Sequence, residues 1–460
     1  MNEKRGLNIS AKSFLVALAV LLALMILTYL LTFAVPGGAY PRLEDGSIDT
    51  AGQFTAVEGG ISFFRWLLSP VLVLGAAGSG TLIAIIVFLL VIGGIFNALD
   101  KGGLMSYMLD RIVARFGSVR ERLMAVIVLF FMSMGAFIGS FEECVPLVPL
   151  AVALAVSLGW NAQVGLGMSL LAAGCGFASG VCNPFTVGVA QELAGLPMFS
   201  GLWLRLGGFV LIYLLLMTFL RLYARKIQKP LPALQSGTRE SIPAMNRGLW
   251  SFVGILGAGI LLVLCSVFVP LLQDLTMIIV AAMFLAAGIT STLLSGMKAK
   301  ILGKHFFNGL TSILPAVLMI LMASSIRFVM EEAHMLDTLL HSAVGLAAYL
   351  PKWVVILFIY LLVLVMNFFI SSGSAKAFLL IPLIVPLAQV FGISAQLCIM
   401  AFAFGDGFSN VFYPTNPVLL ISLGLADVSY GKWVRWSWKF QLLNLLLTSL
   451  LLLFGLAIGY

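Results

Sequence analysis

The sequence predicts an all-α polytopic membrane protein made of two inverted repeats, each with a re-entrant helical hairpin and a broken transmembrane helix. Three observations lead to this prediction: long uncharged apolar segments, a set of motifs that occurs twice, and basic residues confined to alternate segments. Of the 460 residues, 61% are hydrophobic and only 10% are charged, against about 25% charged residues in an average soluble domain. Most of the chain is therefore expected to lie in lipid.

The first apolar segment, residues 14–35, carries no charge. It exceeds the roughly 20 residues that a helix needs to cross the hydrocarbon core. It is also longer than the roughly 7 to 15 apolar residues of a signal peptide, and no clear small-residue cleavage site follows it. We therefore expect a retained first helix.

The basic residues concentrate in segments that alternate along the chain: 4–12, 101–122, 221–247, 298–304 and 432–439. The other side of the membrane receives a smaller set: Arg42, Arg65, Arg205, Arg327 and Lys352. By the positive-inside rule, the basic segments and the N-terminus face the cytoplasm. The predicted location is the bacterial inner membrane, and the net charge of +8 requires no nucleic acid as a partner.

Four motifs occur in the same order in both halves of the chain, with spacings that differ by at most three residues. In the first half they are Gly139-Ser140, Gly159 to Gln163, Asn183-Pro184 and Gly201 to Arg205. In the second half they are Gly373-Ser374, Gly392 to Gln396, Asn416-Pro417 and Gly431 to Arg435. The basic residues place the last motif of the first copy on the outer side of the membrane and the last motif of the second copy on the cytoplasmic side. We therefore predict inverted repeats over residues 1–228 and 249–460, joined by a cytoplasmic linker at 229–248.

The segment before Gly139 is too short for a comfortable crossing, because the 17 residues that follow Arg122 reach about 25 Å as a helix against a core of about 30 Å. We predict a first hairpin at about 123–158 and, by symmetry, a second hairpin at about 353–390. Each precedes a helix interrupted by glycine, asparagine and proline, at about 162–195 (the first broken helix) and 394–425 (the second broken helix). The backbone groups freed at such breaks have to line a wet cavity or bind a solute.

The few ionisable residues predicted at membrane depth are Glu142, Glu143, Lys376 and Asp406. Each costs about 2.5 to 3.5 kcal/mol if it faces lipid, so we expect them to share one polar site. Neutral residues at the tips and breaks complete the predicted solute site: Ser140, Asn183, Thr186, Ser372, Gly373, Ser374, Thr415 and Asn416. Glu142, Glu143 and Asp406 are also candidates for ion coupling. The alternative is a structural ion pair of Lys376 with Glu142 or Glu143.

This pattern favours a secondary active transporter, since inverted repeats with broken helices recur in that class. Two glutamates and a lysine suit a small solute that carries both signs of charge, such as an amino acid, better than a plain dianion. Alternatively, the glutamates carry protons or bind sodium, and Lys376 holds a carboxylate. Replacement of Glu142 or Lys376 by a neutral residue is predicted to abolish uptake without loss of folded protein. No cofactor or metal site is predicted, and a channel or an intramembrane enzyme remains a remote alternative.

Several motifs resemble the YfcC group of the anaerobic C4-dicarboxylate carrier family, within the ion transporter superfamily. The resemblance rests on Gly-Ser-Phe-Glu-Glu (139–143), Asn-Pro-Phe-Thr-Val-Gly-Val-Ala-Gln (183–191), Ser-Gly-Ser-Ala-Lys-Ala (372–377) and Thr-Asn-Pro (415–417). It implies an elevator-type carrier, usually a homodimer, in which the hairpins and broken helices move against a scaffold. It also implies either basic amino acid exchange of the arginine/ornithine type or C4-dicarboxylate transport, and leaves the coupling ion open.

Overall fold

The computed structural model describes residues 11–43, 48, 53–76, 79–229, 242–266, 276–347 and 350–460. Two regions used in the sequence predictions lie outside the described residues: the N-terminal residues 1–10 and most of the predicted linker, 230–241.

The described part of the chain is predominantly helical. The first half contains α1 (Ala11–Ala34), α2 (Phe63–Leu67), α3 (Ser69–Leu72), α4 (Ser79–Lys101), α5 (Leu104–Phe116), α6 (Arg120–Ser133), α7 (Val148–Ser157), α8 (Ala162–Leu166), α9 (Ala172–Ser179), α10 (Val189–Leu193) and α11 (Leu202–Ile227). The second half contains α12 (Pro243–Ser266), α13 (Thr276–Leu294), α14 (Ala299–Glu332), α15 (Met335–Ala347), α16 (Lys352–Phe369), α17 (Gly373–Val390), α18 (Ala395–Asn410), α19 (Pro417–Leu425) and α20 (Tyr430–Ala457).

Shorter elements join or interrupt these helices. A small antiparallel pair is formed by β1 (Gly38–Ala39) and β2 (Thr55–Ala56). Turns of 3₁₀-helix cover Val73–Gly75, Gly117–Val119 and Glu142–Leu147, and π-helical turns cover Met134–Ile138, Gly167–Leu171 and Pro184–Gly188. The π-helical turns lie in the first hairpin and the first broken helix, and such turns are frequent at functional sites.

Eight helical segments within the described residues are long and apolar enough to cross a membrane. They differ in how much of their surface the protein itself covers. The apolar window of Ala162–Leu193 is 100% buried, whereas that of Tyr430–Ala457 is 33% buried. The first broken helix therefore runs through the centre of the bundle, while α20 presents most of its surface outward. These features define a multi-pass α-helical membrane protein.

The first hairpin consists of α6 with its π-helical turn, a tip at Gly139–Phe141, and α7 with the 3₁₀ turn before it. Its two ends meet, because the Arg120 guanidinium donates to the Leu158 carbonyl (3.0 Å). These two ends, which form the open end of the hairpin, also contact the segment just after α11, where the Lys229 amide donates to the Gly159 carbonyl (2.9 Å). The hairpin therefore enters and leaves the bundle at the Lys229 end of α11.

The second hairpin consists of α16, a tip at Ile370–Ser372, and α17. Its ends also meet, since a Cβ added at Gly392 would lie 3.7 Å from the Lys352 ammonium. Just after the open end of this hairpin, the Gln396 side-chain amide donates a hydrogen bond to the Ser200 hydroxyl, next to the start of α11. Because α11 has 26 residues and is about 39 Å long, the two hairpins enter from opposite ends of the molecule.

The two broken helices cross at the centre of the bundle, where α9 packs against α18. Glycine allows this crossing: a Cβ added at Gly407 would lie 2.2 Å from the Ala178 Cα atom. A second close approach joins α9 to α6, since a Cβ at Gly176 would lie 1.9 Å from the Met132 carbonyl oxygen. Backbone atoms cannot move aside as flexible side chains do, so these glycines determine how closely the helices pack.

Gly407→Ala is therefore expected to lower the melting temperature of the purified protein substantially. The added methyl group overlaps the backbone of α9, and overpacking of this kind costs about 1–3 kcal/mol or more. The matched control is Gly207→Ala in α11, where no described atom beyond the adjacent residues and the helix's own backbone lies within 4 Å of the added Cβ. Equal melting temperatures for the two variants in detergent would contradict the close crossing of α9 and α18.

Candidate solute-binding site

The tip of the first hairpin lies against the break in the first broken helix. Gly139 ends the π-helical turn in the left-handed conformation (φ 75°), which favours glycine. A Cβ at this position would lie 2.4 Å from the Asn183 Oδ1 atom, so the tip and the break are in direct contact. Ser140 is buried beside them. Glu142 and Glu143 follow in the first turn of the 3₁₀-helix, which packs against α19 of the second broken helix.

The tip of the second hairpin contacts both broken helices. A Cβ at Gly373 would lie 2.6 Å from the Thr186 Cγ2 atom and 2.9 Å from the Asp406 Oδ2 atom. Ser372 caps α17 by accepting a hydrogen bond from the Ala375 amide (3.4 Å). Ser372 is exposed and Ser374 is half-buried. The hairpin tip therefore brings Thr186 of the first half next to Asp406 of the second half.

An Asn-Pro pair restarts each broken helix. Asn183 accepts a hydrogen bond from the Phe185 amide (3.0 Å), and Asn416 accepts one from the Val418 amide (2.9 Å). Proline follows at the first helical position in both cases, where the absence of its N–H group costs nothing. Helix N-termini carry partial positive charge and bind carboxylates. Both breaks thus present a polar, anion-favouring helix end inside the bundle.

A buried ion pair lies between the second hairpin and the second broken helix. The Lys376 ammonium donates to Asp406 Oδ1 and to Asn367 Oδ1, and both members of the ion pair have fully buried side chains. The alternative prediction that Lys376 pairs with Glu142 or Glu143 is therefore wrong. The helix crossing puts Asp406 of α18 beside α17, whereas the glutamates lie against α19.

Three residues of this polar network were not among the predicted site residues: Asn367, Ser409 and Asn410. The two N–H groups of the Asn367 amide share three acceptors within hydrogen-bond distance, the Asp406 carbonyl (2.9 Å), the Ser409 hydroxyl (2.6 Å) and Asn410 Oδ1 (2.9 Å). The Asn416 side chain donates to the same Asn410 oxygen (2.9 Å). One sequence signal could have identified Asn367, because it is an amide within an otherwise apolar stretch of α16 just before the hairpin tip.

Several buried polar atoms around the two tips have no hydrogen-bond partner in the part of the chain that the structure describes: Glu143 Oε2, Asn183 Nδ2, Thr186 Oγ1, Asp406 Oδ2 and Thr415 Oγ1. Buried polar groups are normally paired, and each exception calls for an explanation. These atoms come from the first hairpin and from both broken helices, and they include both donors and acceptors. A small polar solute or an ion could satisfy several of them at once.

The two glutamates differ from the other charged residues of the site. Both are half-buried. Within the described residues, the ion pairs involve neither glutamate. The site therefore contains one neutralised ion pair, Lys376 with Asp406, and two carboxylates with no cationic partner among the described residues.

A separate cavity of about 270 Å³ reaches the second hairpin from the side of the β1–β2 pair. Its wall includes Ile370 and Ala375, which flank the hairpin tip. The charged residues around it are already paired, Arg42 with Asp337 (2.7 Å) and Arg327 with Glu331 (2.7 Å). The first turn of α17 therefore separates this cavity from the buried Lys376–Asp406 pair.

Arg205, which the charge distribution assigns to the outer side, is fully buried at the start of α11. Its Nη2 atom donates to the carbonyls of Phe199 (3.3 Å) and Ser200 (2.8 Å). It binds the turn before α11, so its observed contacts are structural and lie outside the site at the hairpin tips.

Membrane-length helices packed around a buried polar centre, where two hairpins meet two broken helices, define this protein as a membrane transporter. The chain belongs to the DcuC family, described as the C4-dicarboxylate anaerobic carrier family, whose sequence model matches residues 14–457. The family resemblance predicted from the motifs is thereby confirmed.

Two curated relatives cover most of this chain. It is 29% identical over 405 residues to the Escherichia coli (strain K12) protein named "Putative basic amino acid antiporter YfcC", covering 83% of this chain and 79% of that protein. It is 25% identical over 381 residues to an uncharacterized protein of Haemophilus influenzae, and the match covers 80% of this chain and 74% of that protein.

Two solved transporter structures also match the chain. The YdaH transporter of Alcanivorax borkumensis has a TM-score of 0.48 and 20% identity, covering 96% of this chain and 99% of that one. The MtrF structure from Neisseria gonorrhoeae has a TM-score of 0.44 and 16% identity, and the match covers 95% of this chain and 94% of that one.

Proposed function

We propose that this protein is a secondary active transporter of a small carboxylate-bearing solute. The proposed solute is a basic amino acid, transported by antiport of the arginine/ornithine type. The observation that carries this proposal is the pairing of Lys376 with Asp406. It leaves Glu142 and Glu143 as the uncompensated charges of the site. A solute with a cationic side chain neutralises them, whereas a dianion meets two carboxylates and no free cation.

The proposed roles follow from the chemistry of each group. Glu142 and Glu143 bind the ammonium or guanidinium group of the solute. The helix N-termini at Asn183 and Asn416, with Thr186 and Thr415, bind its carboxylate. Ser140 and the Ser372-Gly373-Ser374 tip close around it, and Asp406 takes part in ion coupling.

We also propose inverted repeats over residues 1–228 and 249–460, with a cytoplasmic linker at 229–248. The entry of the two hairpins from opposite ends of α11 supports this symmetry, as does the packing of each hairpin on a broken helix of the other half. In the proposed mechanism the hairpins and broken helices move as an elevator against the other helices, within a homodimer in the bacterial inner membrane. The N-terminus is proposed to be cytoplasmic.

A C4-dicarboxylate is the second candidate, and the description of the DcuC family favours it. In that case Lys376 would leave Asp406 to bind a solute carboxylate, and the glutamates would be protonated. Both candidates make the protein a carrier rather than an enzyme, in agreement with the family to which it belongs.

The two candidates are separated by counterflow in proteoliposomes. Vesicles loaded with unlabelled arginine are expected to accumulate labelled arginine or ornithine transiently, and not labelled succinate, because only the former supplies a cation to Glu142 and Glu143. Succinate exchange without arginine exchange would contradict the basic amino acid proposal. Linear, non-saturable uptake in both cases would indicate a channel instead.

A further inference from the structure

The Lys376 ammonium sits inside a set of oxygen ligands supplied by two other helices. Asp406 Oδ1 from α18 and Asn367 Oδ1 from α16 both accept hydrogen bonds from it. Both members of the ion pair are completely buried, with side-chain exposures of 0%. Carboxylate and amide oxygens are also the ligands preferred by hard metal cations.

The Asn367 oxygen is oriented by contacts that do not involve the lysine. The two N–H groups of the Asn367 amide lie within hydrogen-bond distance of three acceptors, the Asp406 carbonyl, the Ser409 hydroxyl and Asn410 Oδ1. Because one end of the amide is committed to acceptors, its oxygen has to face the ammonium. The Asn367 oxygen is therefore preorganised toward the position of the charge.

One further oxygen at this position has no hydrogen-bond partner among the described residues. This atom, Asp406 Oδ2, is buried and faces the hairpin tip, where a Cβ on Gly373 would lie 2.9 Å from it. The chain just before Gly373, Ile370–Ser372, is non-helical. Backbone carbonyls at such breaks, together with carboxylates, are the groups that bind sodium in transporters with interrupted helices.

We propose that Lys376 is a tethered cation that occupies a sodium-type site, so that the site needs no dissolved alkali cation. The ammonium supplies one positive charge to Asp406 without the entropy cost of capturing an ion from solution. Removal of the lysine side chain would leave Asp406 uncompensated and open its space to Na⁺. The inference deepens the proposed transport function by assigning this site a built-in substitute for a coupling cation.

The test is thermal unfolding of the purified, detergent-solubilised full-length protein in NaCl against choline chloride at equal ionic strength. The wild-type protein is expected to have the same melting temperature in both salts. Lys376→Ala is expected to melt lower in choline and to recover in NaCl with a saturable dependence on Na⁺ concentration. No transport is measured, so failure of the arginine proposal would leave this result unaffected.

Three variants serve as controls. Lys352→Ala removes an exposed lysine at the base of the same hairpin and should show no Na⁺ dependence. Lys376→Met leaves no room for an ion, and Lys376→Ala combined with Asp406→Asn removes the carboxylate, so neither should respond to Na⁺.

Three outcomes would overturn the proposal. The first is Na⁺-specific stabilisation of the wild-type protein. The second is the absence of Na⁺-specific stabilisation of Lys376→Ala. The third is a failure of Lys376→Ala to fold in NaCl, because Na⁺ would then be unable to replace the ammonium.

Discussion

Glu142→Gln is expected to reduce arginine uptake by proteoliposomes by at least about 30-fold, with no change in the amount of folded protein. The loss follows from leaving a bound guanidinium or ammonium group without its partner, which costs about 2–5 kcal/mol in a desolvated site. Folding should be unaffected, because Glu142 is half-buried and forms no ion pair with another described residue. Glutamine has nearly the same shape and retains hydrogen-bonding capacity.

The matched control is Glu192→Gln, which neutralises an exposed glutamate in α10 and should leave uptake unchanged. The amount of folded protein is measured by size-exclusion chromatography before reconstitution. Wild-type uptake by Glu142→Gln would remove this residue from the solute site and would leave Glu143 as the remaining candidate on the first hairpin.

Lys376→Met is expected to destabilise the protein by about 3–5 kcal/mol, because it leaves Asp406 as an unpaired charge in a fully buried position. From the sequence alone, the same replacement was predicted to abolish uptake without loss of folded protein. The structure adds the stability cost, since the partner of Lys376 is an aspartate with no access to water. Methionine fills the volume of the lysine stem, so no ion is expected to take its place.

The double variant Lys376→Met with Asp406→Asn is expected to recover most of the lost stability, since it removes both charges of the pair. Melting temperatures of the wild type, the two single variants and the double variant form the complete cycle. Lys352→Met, at an exposed position, is the control for loss of a lysine from the same hairpin. A double variant no more stable than Lys376→Met would contradict a direct Lys376–Asp406 interaction.

The positions of the helix breaks could be predicted from local backbone chemistry. Proline and asparagine at 183–184 and 416–417 restart the broken helices where the sequence suggested, and Gly139 and Ile370–Ser372 interrupt the hairpins. These features depend on neighbouring residues alone: proline lacks an N–H group, asparagine caps a helix, and glycine accepts positive φ. The multi-pass membrane class followed in the same way from long uncharged segments.

The partners of the charged residues could not be predicted in this way. Lys376 was expected to pair, if at all, with a glutamate of the first hairpin, and it pairs with Asp406, 30 residues further along the chain. Asn367 was overlooked because one amide in an apolar helix has no local signature of function. Arg205 was grouped with surface charges, yet it is fully buried.

The sequence by itself determined that this chain is a multi-pass helical membrane protein and where its helices break. Only the tertiary structure decided which of its charges neutralise each other. The physical reason is the range of the interactions: capping and backbone restrictions act within a few residues, whereas an ion pair depends on how helices cross. Here α9 and α18 cross at Gly407 and Ala178, and the neighbouring Asp406 lies beside Lys376.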